Sequence, residues 1–278
     1  MGILDTFRLD GKTALVTGAS HGIGEAIALA YAQAGADVAI AARNEDDLAR
    51  VAERIRATGR RVAVIPTDVS QLDQLERMVT QAAERLGEPD ILANVAGTTL
   101  RKSMLDVSPD EWQRIVDVNL RSVYFAAQAF VRRLVVRFGS SADGAGRQGW
   151  GKILNIASMT SYRGFDGSSV YGMTKAAIVN LTQMQAIEWV GHGVRANAIA
   201  PGWIDTPLTA GMAASRRQWV EEHVPQGRYG VPQDIAGLAV YLASPASDYC
   251  TGQTFPVDGG FTAGNPWPGA QGQTTHYR

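Results

Sequence analysis

The chain has 278 residues, 45% of them hydrophobic and 19% charged, with a formal net charge of −1. That length suits one large α/β unit, and the lack of a basic excess argues against nucleic acid, leaving a small molecule as the expected partner. The one cysteine, Cys250, excludes an internal disulfide and suits a reducing cytoplasm, and it is expected to be an ordinary buried thiol.

Met1 to Asp10 interrupts its apolar stretch with Asp5, Arg8 and Asp10, which speaks against a secretory leader. No later apolar run is long enough to span a bilayer, so a soluble chain with no membrane partner is expected. Short β-branched runs then alternate with longer amphipathic segments, the pattern of parallel strands joined by crossover helices. Strands are predicted over Thr13 to Thr17, Asp37 to Ala42, Arg61 to Pro66, Ile91 to Val95, Gly151 to Ala157, Arg195 to Ala200 and Thr254 to Val257. Helices are predicted over Ile23 to Ala34, Glu45 to Ala57, Leu72 to Leu86, Pro109 to Phe138, Tyr171 to Gly191, Pro207 to Glu222 and Pro232 to Ala243.

These elements predict a single-domain, doubly wound, Rossmann-type α/β fold over residues 1–264, a parallel sheet of seven strands with helices on both faces. Gly139 to Gly151 is rich in Gly, Ser and Ala and is expected to be a mobile surface loop. Asn265 to Arg278 has two prolines and no periodicity, so the tail over 265–278 is expected either to be disordered or to pack over a neighbouring subunit's active site.

Between the first strand and first helix lies Thr17-Gly18-Ala19-Ser20-His21-Gly22-Ile23-Gly24. Glycines there allow a tight turn and close approach of a pyrophosphate, which the N–H groups at the helix start then hold. The second strand ends Ala41-Ala42-Arg43-Asn44 with no carboxylate for the ribose hydroxyls. An arginine at that place can pair with a 2'-phosphate, which favours NADP(H) and leaves NAD(H) open, as it leaves open Arg43 as a solvated charge. Asp68 can accept from an adenine amine, and Asn94-Val95-Ala96-Gly97 offers small residues where a ribose passes, although Asp and Asn also favour plain turns.

Tyr171 and Lys175 are one helical turn apart and share a face. The ammonium is expected to depress the phenol from its ordinary value near 10, making it a proton shuttle near neutral pH.

In order along the chain, Thr17-Gly18 through Gly24, Asp68, Asn94 to Gly97, Asn119, Ser158, Tyr171 with Lys175, Pro201-Gly202 and Val257-Asp258-Gly259-Gly260 resemble the short-chain dehydrogenase/reductase family. Val95 departs from a pattern that commonly has a second Asn there. The resemblance implies Tyr171 as general acid or base, Ser158 as hydrogen-bond donor to the substrate oxygen, Lys175 on the nicotinamide ribose, and Asn119 holding a relay water. It implies no metal, since hydride moves to or from the nicotinamide. It places the cofactor on Gly18, Ser20, His21, Gly22, Ile23, Gly24, Arg43, Asn44, Asp68, Val69, Asn94, Ala96, Gly97, Pro201, Gly202, Ile204 and Thr206, besides Tyr171 and Lys175.

Within the family, Leu4 to Lys12, Gly151 to Met159 and Pro225 to Gly230 look most like bacterial sugar-acid dehydrogenases of the gluconate 5-dehydrogenase and deoxy-ketogluconate dehydrogenase kind. Such a substrate needs a cation for its carboxylate, and Arg101 and Arg163 are the candidates, each equally readable as a solvent-facing charge. A substrate lid is expected over residues 203–222, and family members commonly form homotetramers. A 3-oxoacyl carrier-protein reductase is the enzymatic rival. A catalytically silent nucleotide sensor is the rival of another class.

Overall fold

The computed structural model describes residues 2–138, 151–210 and 214–264. Seven parallel strands lie in the order β3-β2-β1-β4-β5-β6-β7: β1 (Thr13–Thr17), β2 (Asp37–Ala42), β3 (Val62–Pro66), β4 (Ile91–Asn94), β5 (Gly151–Ile156), β6 (Val194–Pro201) and β7 (Thr254–Val257). Because β1 neighbours both β2 and β4, the winding reverses between β1 and β4. In such sheets a crevice opens at that point, beyond the carboxyl ends of the strands.

The central strands are buried on both faces, and alternate residues feed two cores. Ala14, Val16, Val38, Ile40, Ile91 and Ala93 pack towards α1 (Gly22–Gln33), α2 (Glu45–Arg56) and α8 (Pro232–Ala243). Leu15, Ala39, Ala41, Leu92 and Ile153 pack towards α3 (Leu72–Leu86) and α5 (Ser122–Phe138). α6 (Ser169–Trp189) lies on α5 and β6 through Ile178, Val123 and Ala198.

Strand and helix ends fall within a few residues of those predicted, with one substantive difference. The expected single helix from Pro109 to Phe138 is α4 (Pro109–Val116) and α5, separated by a π-helical turn over Asp117–Arg121. The wider turn accompanies two side-chain arrangements: Ser122 Oγ donates one turn back to Val118 O at 2.6 Å, and Asn119 reaches across to Thr98, a tertiary contact that periodicity does not reveal. Such turns recur at functional sites. Within the expected lid, the helix is the shorter α7 (Ala214–His223). The expected loop at 139–150 and the tail at 265–278 lie outside the described residues, while Gly151 opens β5.

Candidate active site

The phosphate loop leaves β1 at Thr17 and turns through Gly18, at φ +67°, and Gly22, at φ +59°, a region that disfavours side chains. A Cβ on Gly18 would lie 2.7 Å from the Ala96 backbone, and one on Gly24 only 2.1 Å from Gly18 O. Ala19 N donates to Ala41 O at 3.3 Å, joining the loop to the end of β2. Ser20 is buried, its Oγ 2.9 Å from Nδ1 of the exposed His21, while Ile23 packs on the core. The loop ends at the N–H-rich start of α1, which suits an anion. Arg50, unforeseen from sequence, donates to Ser20 O at 2.8 Å and to Glu25 Oε1 at 2.8 Å, bracing the loop from α2.

Arg43 stands exposed beyond β2 and makes no ion pair or hydrogen bond among the described residues. Its neighbour Asn44 caps α2 by accepting from Asp47 N at 3.2 Å, so that side chain has a structural task. Asp68 Oδ1 accepts from Ser70 N at 3.0 Å and Ser70 Oγ at 2.8 Å, the turn arrangement that was the alternative reading. Val69 belongs to the core by its side chain.

The Asn94 side chain has a structural task as well. Its Nδ2 donates to Asn155 Oδ1 at 3.0 Å inside a buried network, where Asn155 Nδ2 in turn donates to Thr182 Oγ1 at 2.9 Å and Gln185 Oε1 at 2.8 Å. A buried amide must find partners, and these tie the end of β4 to β5. Thr17 Oγ1 instead sets the segment after β4 by accepting from the N–H groups of Val95 and Ala96, at 3.1 and 3.2 Å. The glycine cradle at a helix start, beside an unpartnered arginine, fits a phosphorylated dinucleotide.

β5 delivers Ser158 to the crevice. Its Oγ accepts from Thr160 N at 3.1 Å, capping a short 3₁₀ turn at Met159–Ser161, and it lines the same cavity as the Tyr171 phenol. One residue therefore both caps a turn and faces the tyrosine. Tyr171 and Lys175 share a face of α6, with Nζ 5.7 Å from the phenol ring centroid. Nζ donates to Ile156 O at 2.7 Å, and Lys175 is 4% exposed.

Burial lowers the Lys175 ammonium to about 8. Burial also raises the Tyr171 phenol, with Ser158 alone opposing it. This corrects the expectation of a phenol depressed by its lysine: spacing reveals the pair, but not that desolvation dominates.

Asn119 is fully buried. Oδ1 accepts from Thr98 N at 2.8 Å, and Nδ2 donates to Thr98 O at 2.9 Å and Thr174 Oγ1 at 3.3 Å. Both amide hydrogens are used, so a water held by this side chain has only the remaining lone pair of Oδ1 to bind. A Cβ on Gly97 would lie 3.5 Å from Asn119 Oδ1 and 3.7 Å from Lys175 Nζ, which places all three at one point of the crevice.

Above Ser158 and Tyr171 opens a cavity of 490 Å³. Arg101, Arg216 and Asp166 are its charged lining residues, and Phe165, Trp203 and Trp219 supply much of its apolar wall. Arg163 lines the adjoining pocket rather than this one; it donates to Phe261 O at 3.1 Å and stacks 4.7 Å from that ring's centroid. Arg216 had no sequence signal.

Gly202 lines the cavity directly after Pro201, the last residue of β6. Ile204 is 5% exposed, its side chain packed in the core, which leaves its backbone to face a ligand. Thr206 lies over the start of α1, its Cγ2 3.2 Å from where a Cβ on Gly22 would be.

Comparison with known proteins agrees with this geometry. The family model described as "Enoyl-(Acyl carrier protein) reductase" matches residues 18–262. A 2-dehydro-3-deoxy-D-gluconate 5-dehydrogenase of Dickeya dadantii is 38% identical over 264 residues, 94% of this chain and 99% of the relative. A 3-oxoacyl-[acyl-carrier-protein] reductase of Thermotoga maritima is 33% identical over 91% of this chain and 98% of the relative. The crystal structure of a gluconate 5-dehydrogenase from Burkholderia cenocepacia in complex with NADP and tartrate is 37% identical, covers 94% of this chain and 99% of its own, and superposes with a TM-score of 0.86. With its seven-stranded parallel sheet, glycine loop and Ser158, Tyr171 and Lys175 gathered at one crevice, the chain belongs to the short-chain dehydrogenase/reductase family of oxidoreductases.

Proposed function

We propose that the protein interconverts a secondary alcohol and a ketone on a sugar acid, using NADP(H). The observation that carries this reading is Arg101 in the wall of the cavity that also contains Ser158 and Tyr171. A guanidinium there can hold a carboxylate in a fork while the reacting carbon lies against the hydroxyl pair. Relatives named for sugar-acid dehydrogenation at 38% identity, and a solved relative in complex with NADP, support it.

NADP(H) supplies or accepts the hydride, held by the glycine loop, by Arg43 at its 2'-phosphate and by Lys175 at the ribose. Tyr171, kept neutral by burial, gives its proton to the ketone oxygen in reduction and recovers it in oxidation. Ser158 donates a hydrogen bond to that oxygen as charge grows on it, which favours the transition state over the ground state. Lys175 carries its positive charge below about pH 8 and gives the proton path an exit past Asn119. Trp203 and α7 cover the cavity and exclude water.

A 3-oxoacyl carrier-protein reductase is the second reading, favoured by the Thermotoga relative. Gluconate, ketogluconates, neutral polyols and acetoacetyl thioesters, each assayed with both nicotinamide cofactors, separate the two. Turnover of thioesters alone would overturn the sugar-acid assignment, and no turnover of any would return the chain to nucleotide sensing. We further propose a cytoplasmic homotetramer associating through the exposed apolar side chains of α5 and α6, among them Tyr124, Phe125, Met184 and Ile187. A monomeric mass by light scattering would refute that assembly.

A further inference from the structure

We propose that Arg216, on α7, is a second substrate-specificity residue that holds the carboxylate of a bound sugar acid from the wall of the cavity that α7 supplies. This rests on the sugar-acid reading above. The residues of α7 sort by face. Val220 is fully buried with Met159, Val224, Tyr229 and Phe261, which anchors the helix. Ser215, Arg216 and Trp219, spaced to share one side, line the cavity.

The two adjacent arginines have separate tasks. Arg217 fixes the helix, with Nη2 3.1 Å from Asp205 Oδ2, Nε 3.6 Å from Glu221 Oε1 and its guanidinium 4.5 Å from the Tyr229 ring centroid. Arg216 makes no ion pair or hydrogen bond among the described residues. Arg101 and Arg216 against Asp166 leave the lining one positive charge in excess, and the flanking Trp203, Trp219 and Phe165 reduce the screening by water that would weaken a charge pair.

Arg101 comes from the segment after β4 and Arg216 from α7, so an anion held by both spans two walls of the cavity.

The test titrates gluconate by tryptophan fluorescence, with Trp203 and Trp219 reporting from the cavity wall, in the parent, R216Q and R216K. Sorbitol serves as uncharged control and NADPH binding is measured in parallel. R216Q should weaken gluconate on the order of tenfold, leave sorbitol and NADPH unchanged, and reduce the salt sensitivity of gluconate binding; R216K should recover part of the loss. Equal gluconate affinity in R216Q and parent, or an equal loss for sorbitol, would overturn the assignment. A parent that binds no gluconate but reduces acetoacetyl thioesters would instead remove the sugar-acid reading beneath it.

Discussion

Lys175→Met is predicted to abolish turnover while leaving the fold about as stable as the parent at neutral pH, or more so. The side chain is 4% exposed, and burial lowers its ammonium from the ordinary lysine value of 10.5 to about 8. Each tenfold change in proton affinity is worth about 1.4 kcal/mol, so keeping this charge inside the fold at pH 7 costs on the order of 3 kcal/mol. Methionine fills a similar space without the charge. Against that gain, Ile156 O loses the donor now 2.7 Å away, and an unpaired buried acceptor costs about 1–3 kcal/mol. The opposing effects leave a net change between about zero and 2 kcal/mol in favour of the variant.

The sign of the pH dependence follows from where the protons are. The unfolded chain keeps the lysine proton up to about 10.5, whereas the fold releases it near 8. Between those values unfolding takes up a proton, so the parent gains stability as pH rises and the variant lacks that gain. Urea unfolding of both proteins at about pH 7 and about pH 9.5 measures the difference, other groups cancelling between them. A variant less stable by more than about 3 kcal/mol at neutral pH, or a difference that does not change with pH, would refute the argument.

Three further substitutions probe separate parts of the site. Arg43→Ala should weaken NADPH binding on the order of ten- to a hundredfold and leave NADH binding unchanged, by fluorescence titration; unchanged NADPH affinity would remove the 2'-phosphate assignment. Gly24→Ala drives a methyl to 2.1 Å from Gly18 O, so it should destabilise by about 2 kcal/mol or more and lose cofactor affinity together, as thermal melts with and without NADPH would report. Arg101→Ala should raise KM for gluconate on the order of tenfold with no change for a neutral polyol, and equal effects on both would reject the anchor.

Local chemistry made the scaffold legible: β-branched runs, glycine punctuation and a strand-loop-helix sequence around Gly18 to Gly24 specify their elements without distant help. The π turn at Asp117–Arg121 was not legible, because it accompanies Asn119 pairing with Thr98, a tertiary bond. The buried network of Asn94 was not legible for the same reason, its partner Asn155 lying on the next strand. Arg163 follows Ser158 closely in sequence, yet the 3₁₀ turn between them carries it onto Phe261. Arg216 and Arg217 are indistinguishable in a polar run, and only the docking of Val220 decides which enters the cavity. The spacing of Tyr171 and Lys175 announced that the two share a helix face but not their burial, which shifts both proton affinities.

The central claim is that the Tyr171 hydroxyl exchanges a proton with the substrate oxygen, and a single-turnover measurement of NADPH oxidation by a ketogluconate in the parent and Tyr171→Phe tests it most directly. The account predicts an oxidation phase in the parent and a rate lower by about a thousandfold or more in the variant, with unchanged NADPH affinity. Equal rates in the two proteins would contradict it.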